Sequence, residues 1–120
     1  MMKRNNSSIS FAFYNGLIRM GYEILEKLLL PKYIRIMINV EERRLIISAS
    51  NKNDPDHIKI NYSLPSLKAK GLQIYSKLLV EKIFIVANWD FKKSYRLNTS
   101  LDMNRGAIVA SLVDVDKDEI

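Results

Sequence analysis

The amino-acid sequence predicts a β-rich α+β domain built from two copies of one strand–helix–strand–strand unit. Three observations lead to this fold class. Apolar residues alternate with polar residues over several short segments, as they do in half-buried strands. Two other segments carry apolar residues at the i, i+3, i+4 spacing of amphipathic helices. The order of these segments in the first half of the chain recurs in the second half.

The first unit is predicted to begin with a strand at residues 8–14, where apolar side chains occupy every second position. Asn15-Gly16 follows and is a strong turn signal. Residues 17–20 are therefore predicted to return as a second short strand.

A helix is predicted next, over about residues 22–30. Leu25, Leu28 and Leu29 share one face of it, and charged residues occupy the other face. Pro31 cannot continue the helical hydrogen-bond ladder, so we expect the helix to end there.

A hairpin is predicted to complete the first unit. Its strands are residues 33–40 and 44–49, which both alternate between apolar and polar side chains. The charged residues 41–43 between them form the predicted turn.

Residues 51–70 are predicted to be a connector that holds one short strand at 58–62. The second unit follows, and Ser76 is a plausible N-cap for its helix. Its predicted elements are a strand at 72–75, a helix at 77–88, and strands at 94–101 and 107–113.

The two halves align as an internal repeat. A shift of 55 residues places Gly16 on Gly71 and one helix on the other, and a shift of 61 aligns the hairpins. A single unit cannot bury its own apolar faces, so two units packed together are physically reasonable. Under the second shift two pairs of arginines become equivalent: Arg35 with Arg96, and Arg44 with Arg105.

The chain is predicted to be one domain over residues 1–120, because 120 residues suffice for a single core without staples. Its parts are repeat 1 at about 8–50, the connector at 51–70, repeat 2 at about 71–113 and an acidic tail at 114–120. The predicted core residues are Leu25, Leu28, Ile36, Ile47, Leu79, Ile83, Leu97 and Ile108.

The segment from Gly16 to Ser50, GLIRMGYEILEKLLLPKYIRIMINVEERRLIISAS, resembles the core of the AbrB/MazE/SpoVT swapped-hairpin family. Its order of glycine turn, short strand, helix and hairpin is similar to the order in that family. Leu17 and Gly21 depart from the pattern, which has a basic residue and a proline at these places.

This resemblance implies a swapped-hairpin barrel made of two interleaved halves with two short helices. In the family two chains supply the halves, whereas here one chain would supply both. Members of the family commonly bind DNA as transcriptional regulators or antitoxins. The resemblance therefore implies a DNA-binding regulator or antitoxin-like domain that contacts double-stranded DNA.

The charge of the chain is compatible with that expectation. Its net charge is +6, and residues 1–113 alone carry a balance of +9. Arginine forks bind phosphates and guanine edges, and a basic body attracts polyanions. The alternatives are solvated surface charges, with arginine stems covering apolar surface. The predicted DNA-binding residues are Arg35, Arg44, Arg96 and Arg105 on the hairpins, with Lys3 and Arg4 as an N-terminal arm.

Catalytic chemistry is not predicted. The chain has no cysteine, a single histidine and none of the common catalytic motifs. Asp54, Asp56 and His57 offer metal-ligand types, but Asn, Asp and Pro are also ordinary turn residues, so a surface loop is the preferred interpretation. We therefore expect no enzyme, no cofactor and no metal.

The alternative function is a non-enzymatic protein-interaction or adaptor module on the same fold, with a protein partner or a homodimer. Clustering of the four hairpin arginines on one surface would favour DNA over this alternative. No apolar run is long enough for a membrane span, so a cytoplasmic location without membrane contact is expected. The tail at 114–120 is interpreted as a solvated terminus, with masking of the basic body as the alternative.

Overall fold

A computed structural model of the chain describes residues 7–113 and the backbone of Val115–Asp118. Lys3 and Arg4 lie outside these described residues. In chain order the elements are β1 (Ser8–Ala12), β2 (Leu17–Met20), α1 (Tyr22–Lys27), β3 (Tyr33–Asn39), β4 (Arg44–Ala49), β5 (Ile58–Lys59), α2 (Leu64–Lys70), β6 (Leu72–Tyr75), α3 (Lys77–Ala87), β7 (Ser94–Asn98), β8 (Ser100–Asp102), β9 (Ala107–Ser111) and β10 (Val115–Asp118).

The described strands form two antiparallel sheets, which confirms a strand-rich α+β fold. Sheet A has the order β10-β7-β1-β2-β6, and sheet B has the order β5-β3-β4-β9-β8. The chain passes from sheet A to sheet B at Thr99, between β7 and β8. The predicted barrel is wrong, because the two sheets do not close into one. The edge strands β5 and β8 have only two and three residues, too few to continue a hydrogen-bond ladder around the core.

One cluster of buried side chains includes residues from both sheets and from all three helices. Phe84, Trp89 and Tyr95 form an aromatic group in it, with the Trp89 and Tyr95 rings stacked at 4.4 Å. Two of the predicted core residues, Ile36 and Leu79, are only partly buried. The other predicted core residues are buried: Leu25, Leu28, Ile47, Ile83, Leu97 and Ile108.

The first helix is shorter than predicted. It ends at Lys27, and Leu29 and Leu30 adopt left-handed φ angles of 65° and 53°. The helix therefore ends one turn before Pro31, because the backbone reverses at these two leucines. At α3 the predicted cap is confirmed, since the Ser76 hydroxyl accepts a hydrogen bond from the backbone N–H of Leu79 at 3.3 Å.

A third helix, α2, lies in the predicted connector, so the prediction of two helices is wrong. Ser63 caps it by accepting a hydrogen bond from the backbone N–H of Ser66 at 3.3 Å. Pro65 lies in its first turn, where backbone N–H groups have no partner within the helix, so the missing N–H of proline costs no hydrogen bond.

The second half differs from the prediction at two places. The strand expected at 94–101 divides at Thr99 into β7 and β8. The tail is not only a solvated terminus, because the backbone of Val115–Asp118 pairs with β7. Within the described residues no helix has the length and apolarity to cross a membrane.

Candidate functional site

Arg35, the first predicted DNA-binding residue, lies on β3 beside two carboxylates. Its guanidinium nitrogens are 3.9 Å from the Asp54 carboxylate and 3.5 Å from that of Asp56. Both carboxylates belong to the loop that precedes β5. Two negative charges beside one positive charge make this a poor site for a polyanion.

Arg44 and Arg105 lie at opposite ends of the β4–β9 pair. Arg44 begins β4 and is paired with Ser111, the last residue of β9, whereas Arg105 precedes the first residue of β9. Each also has a carboxylate near it. Arg44 is 3.2 Å from Glu42, and Arg105 is 3.5 Å from Asp102. Neither position is a concentrated positive patch.

Arg96 lies on β7, in the other sheet. The structure therefore divides the four predicted arginines between two sheets and does not bring them together on one surface. Lys3 and Arg4, the predicted arm, are outside the described residues. A different feature is better formed, and it lies along β3.

Most of the outer edge of β3 is open. This strand has seven residues, but β5 pairs only with Tyr33 and Ile34. Among the described residues, no strand pairs with 35–39 on that side. Extension of the β5 register would place Asp56 opposite Ile36, but the Asp56 N–H donates to the Asp54 carboxylate at 2.9 Å and the His57 N–H donates to the Asp54 carbonyl at 3.1 Å. The turn chemistry of the loop at 51–57 thus ends β5 and leaves β3 uncovered.

The backbone groups of Ile36 and Ile38 face this open edge. The Tyr33 carbonyl accepts a hydrogen bond from the residue after β4 at 2.8 Å, whereas the Lys32 carbonyl accepts one from the residue after β5 at 3.0 Å. Backbone groups alternate in side along an antiparallel strand. Odd-numbered residues of β3 therefore face β4, and Ile36 and Ile38 each direct one N–H and one C=O outward.

A groove of about 430 Å³ runs beside this edge, between β3, the end of the 51–57 loop and α3. We call it the β3 groove. Its apolar lining includes Ile36, Ile38 and Leu79, and its polar lining consists of Arg35, Asp56, His57 and Lys82. Ile36 and Leu79 are the two predicted core residues that stay partly exposed. The fold thus leaves apolar side chains uncovered beside unpaired backbone.

Hydrogen bonds organise the loop that forms one wall of the groove. The Ser50 hydroxyl donates to Asp54 at 2.7 Å, and the backbone N–H of Asp56 donates to Asp54 at 2.9 Å. These bonds hold the pKa of the Asp54 carboxyl below its usual value, with Ser50 the larger cause. His57 is held by a contact of 2.7 Å between its Nδ1 and the Asp54 carbonyl, and its ring meets Tyr33 edge-on at 5.2 Å.

Within the described part of the chain, no three acidic or histidine side chains gather in a metal-binding arrangement. No protein-family model matches the sequence, and neither do the curated proteins or the solved structures with which it was compared. The groove is therefore interpreted from its own geometry. An unpaired strand edge beside a groove that is lined by both apolar and charged side chains is suited to an extended chain that supplies the missing hydrogen bonds.

Proposed function

We propose that this protein is a non-enzymatic interaction module that binds an extended segment of a partner protein as an additional strand on β3. The observation that carries the proposal is the outward-facing backbone of Ile36 and Ile38 beside the β3 groove. In strand addition, main-chain hydrogen bonds supply affinity and side-chain pockets supply specificity. Exposed strand edges also promote aggregation, so a partner strand has a structural benefit here.

The lining of the groove defines the chemistry of the partner. Ile36 and Leu79 favour apolar side chains on the face of the added strand that points inward. Lys82 is exposed, and no carboxylate of residues 7–113 forms an ion pair with it. It favours an acidic residue on the α3 side of the groove, whereas Asp56 disfavours one on the loop side. The expected partner segment therefore combines β-branched or aromatic residues with Asp or Glu in an extended conformation.

Peptide selection tests this proposal. A displayed library of random peptides about ten residues long, which is enough for one strand, is selected on the full chain. We expect enrichment of apolar residues alternating with acidic ones. Chemical-shift mapping with a selected peptide should show the largest changes at the Ile36 and Ile38 amides.

Charge reversal provides the matched control. Lys82→Glu should weaken binding of a selected acidic peptide by about fivefold, while Lys92→Glu, an exposed lysine outside the groove, should have little effect. Peptides that map elsewhere, or that ignore Lys82→Glu, would contradict the proposal. Concentration-dependent sedimentation that Ile38→Pro abolishes would show self-association through β3. The added strand would then come from a second copy of this chain and not from a partner protein.

The internal duplication and the swapped-hairpin resemblance remain proposals, and local geometry supports the duplication. Gly16 and Gly71 precede β2 and β6 with similar positive φ angles of 65° and 75°. Strand β2 pairs with β6 so that Leu17 meets Tyr75 and Met20 meets Leu72. Under the shift of 55, Leu72 is equivalent to Leu17 and Tyr75 is equivalent to Met20. Leu17 therefore pairs with the equivalent of Met20, and Met20 pairs with the equivalent of Leu17, as a twofold axis requires.

The hairpin turns support a shift of 63 residues instead of the predicted 61. Both turns have four residues, between Asn39 and Arg44 in one and between Asp102 and Ala107 in the other. Their last residues, Arg43 and Gly106, both have positive φ angles, 51° and 62°. An experimental structure tests the duplication: residues 16–50 and 71–113 should superpose through a twofold rotation. Halves that need a different strand pairing to superpose would contradict it.

A further inference from the structure

Sheet A presents a row of polar residues on its outer face, separate from the β3 groove. Ser10 of β1 is paired directly with Arg19 of β2 on one side and with Arg96 of β7 on the other. Directly paired residues share a face of the sheet. Their neighbours Ile9 and Phe11 are buried, so this row lies on the opposite, outer face.

The two arginines stand on either side of a small side chain. Neighbouring strands are about 4.8 Å apart, which places the Arg19 and Arg96 backbones roughly 10 Å from each other across Ser10. Arg19 is exposed, and no carboxylate among residues 7–113 forms an ion pair with it. It differs in this respect from Arg35, Arg44 and Arg105.

An exposed aromatic ring lies on the same face. Tyr75 is paired with Leu17, two residues from Arg19 on β2, and therefore shares the outer face. Its exposed fraction is 64%, although a tyrosine ring gains stability from burial. Arginine and an exposed ring on an open antiparallel sheet are the groups that bind phosphate and stack bases of single-stranded nucleic acid.

The acidic strand β10 borders this face. In its register with β7, Asp116 lies opposite Arg96 and Asp118 lies opposite Ser94. Residues 114–120 contain four acidic residues and one lysine. The chain thus places a segment with negative charge along the strand that carries one of the two arginines.

We propose that the outer face of sheet A is a binding site for single-stranded nucleic acid, formed by Arg19, Arg96 and Tyr75. The acidic strand β10 competes with the phosphate backbone at Arg96 and lowers the affinity of the site. This proposal concerns a different sheet from the β3 groove, so it holds or fails independently of peptide binding.

Fluorescence anisotropy with a labelled single-stranded DNA of about 12 nucleotides, at about 50 mM salt, tests the site. Tyr75→Ala should weaken binding at least about fivefold through lost stacking. Arg19→Gln with Arg96→Gln should reduce the slope of log affinity against log salt by about 1.4, since each phosphate contact contributes about 0.7. Arg105→Gln is the matched control and should leave both quantities unchanged.

The competing strand is tested by removing its charge. Asp116→Asn with Asp118→Asn keeps the strand and should tighten binding about twofold to tenfold. Deletion of 114–120 should do the same if circular dichroism shows that the fold is retained. A duplex of the same length that binds more tightly than the single strand would overturn the proposal. So would the absence of binding by the folded Asn variant, or binding that ignores Tyr75 and Arg19.

Discussion

Strands β7 and β3 are each the second strand from one edge of their sheet, and they differ in how far the edge strand covers them. Strand β7 has five residues and is paired with four residues of β10, so its outer edge is nearly covered. Strand β3 has seven residues and is paired with only two of β5. The chain therefore covers one edge with its own acidic segment and leaves most of the other open beside the β3 groove. The difference shows why the proposal of strand addition is made for β3 and not for β7.

The largest expected effect is on the free energy of unfolding, and it distinguishes a core residue of α3 from a residue of α3 that lines the β3 groove. Ile83 is fully buried, so Ile83→Ala should lower the free energy of unfolding by about 2–5 kcal/mol. Leu79, one turn earlier, is only partly buried. Leu79→Ala should therefore cost clearly less, about 1 kcal/mol. Urea unfolding measures both values, and equal losses would show that the groove is closed in solution.

Proline substitutions compare the two sides of β3. The Met37 N–H faces β4, so Met37→Pro removes a bond inside the sheet, whereas the Ile38 N–H faces the open edge. After correction with Met37→Ala and Ile38→Ala, the first proline should cost about 1–3 kcal/mol more than the second. Ile38→Pro should also abolish peptide binding. Equal costs in urea unfolding would indicate that the Ile38 amide is already bonded.

Removal of residues 114–120 should convert the covered edge into an open one. The amides of β7 that face β10 should then exchange about fivefold to tenfold faster, since one net backbone hydrogen bond is worth roughly 1 kcal/mol. Hydrogen exchange followed by NMR measures this change. Amides of β4, which lies inside sheet B, serve as the internal reference. Unchanged exchange in β7 would show that β10 does not protect it.

The smallest expected effect concerns the thermal stability of the protein at low pH. The pKa of Asp54 is lowered by the Ser50 hydroxyl and the Asp56 N–H, so its ionised form stabilises the folded loop. This stabilisation is present above the unfolded-state pKa of about 3.9 and is lost as the pH falls through the lower folded-state pKa. The thermal midpoint of the natural chain should exceed that of Asp54→Asn at pH 7. The two should converge once the pH is below the folded-state pKa, and a constant difference would contradict this origin.

Local pattern was enough to predict most elements. The alternation around Ile34 and Leu45 predicted the β3–β4 hairpin, and the i, i+3, i+4 spacing predicted α1 and α3. These signals are local, because the period of the apolar residues and the chemistry of caps act within a few residues. The helix α2 was not predicted, and proline is ambiguous there, because it disrupts the interior of a helix but is favourable in the first turn, where Pro65 lies.

The candidate site was harder to predict. Ile36 and Leu79 have the spacing of core residues, and no local signal distinguishes them from the buried Ile47 and Ile83. The sequence carries one relevant signal, the turn-forming Asn and Asp residues at 51–57, whose own hydrogen bonds end β5 before it can cover β3. Recognising it required the β3–β5 register, which depends on contacts between residues far apart in the chain.

The sequence by itself determined the class of the fold, because apolar periodicity and turn residues specify strands and helices locally. It also determined the basic charge and the lack of cysteine chemistry. Only the tertiary structure decided that the strands form two open sheets, that three of the hairpin arginines lie beside carboxylates, and that β3 keeps an open edge. The reason is that pairing register and edge exposure arise from long-range packing, and a neighbouring strand that pairs with only two residues leaves no trace in the sequence of the strand beside it.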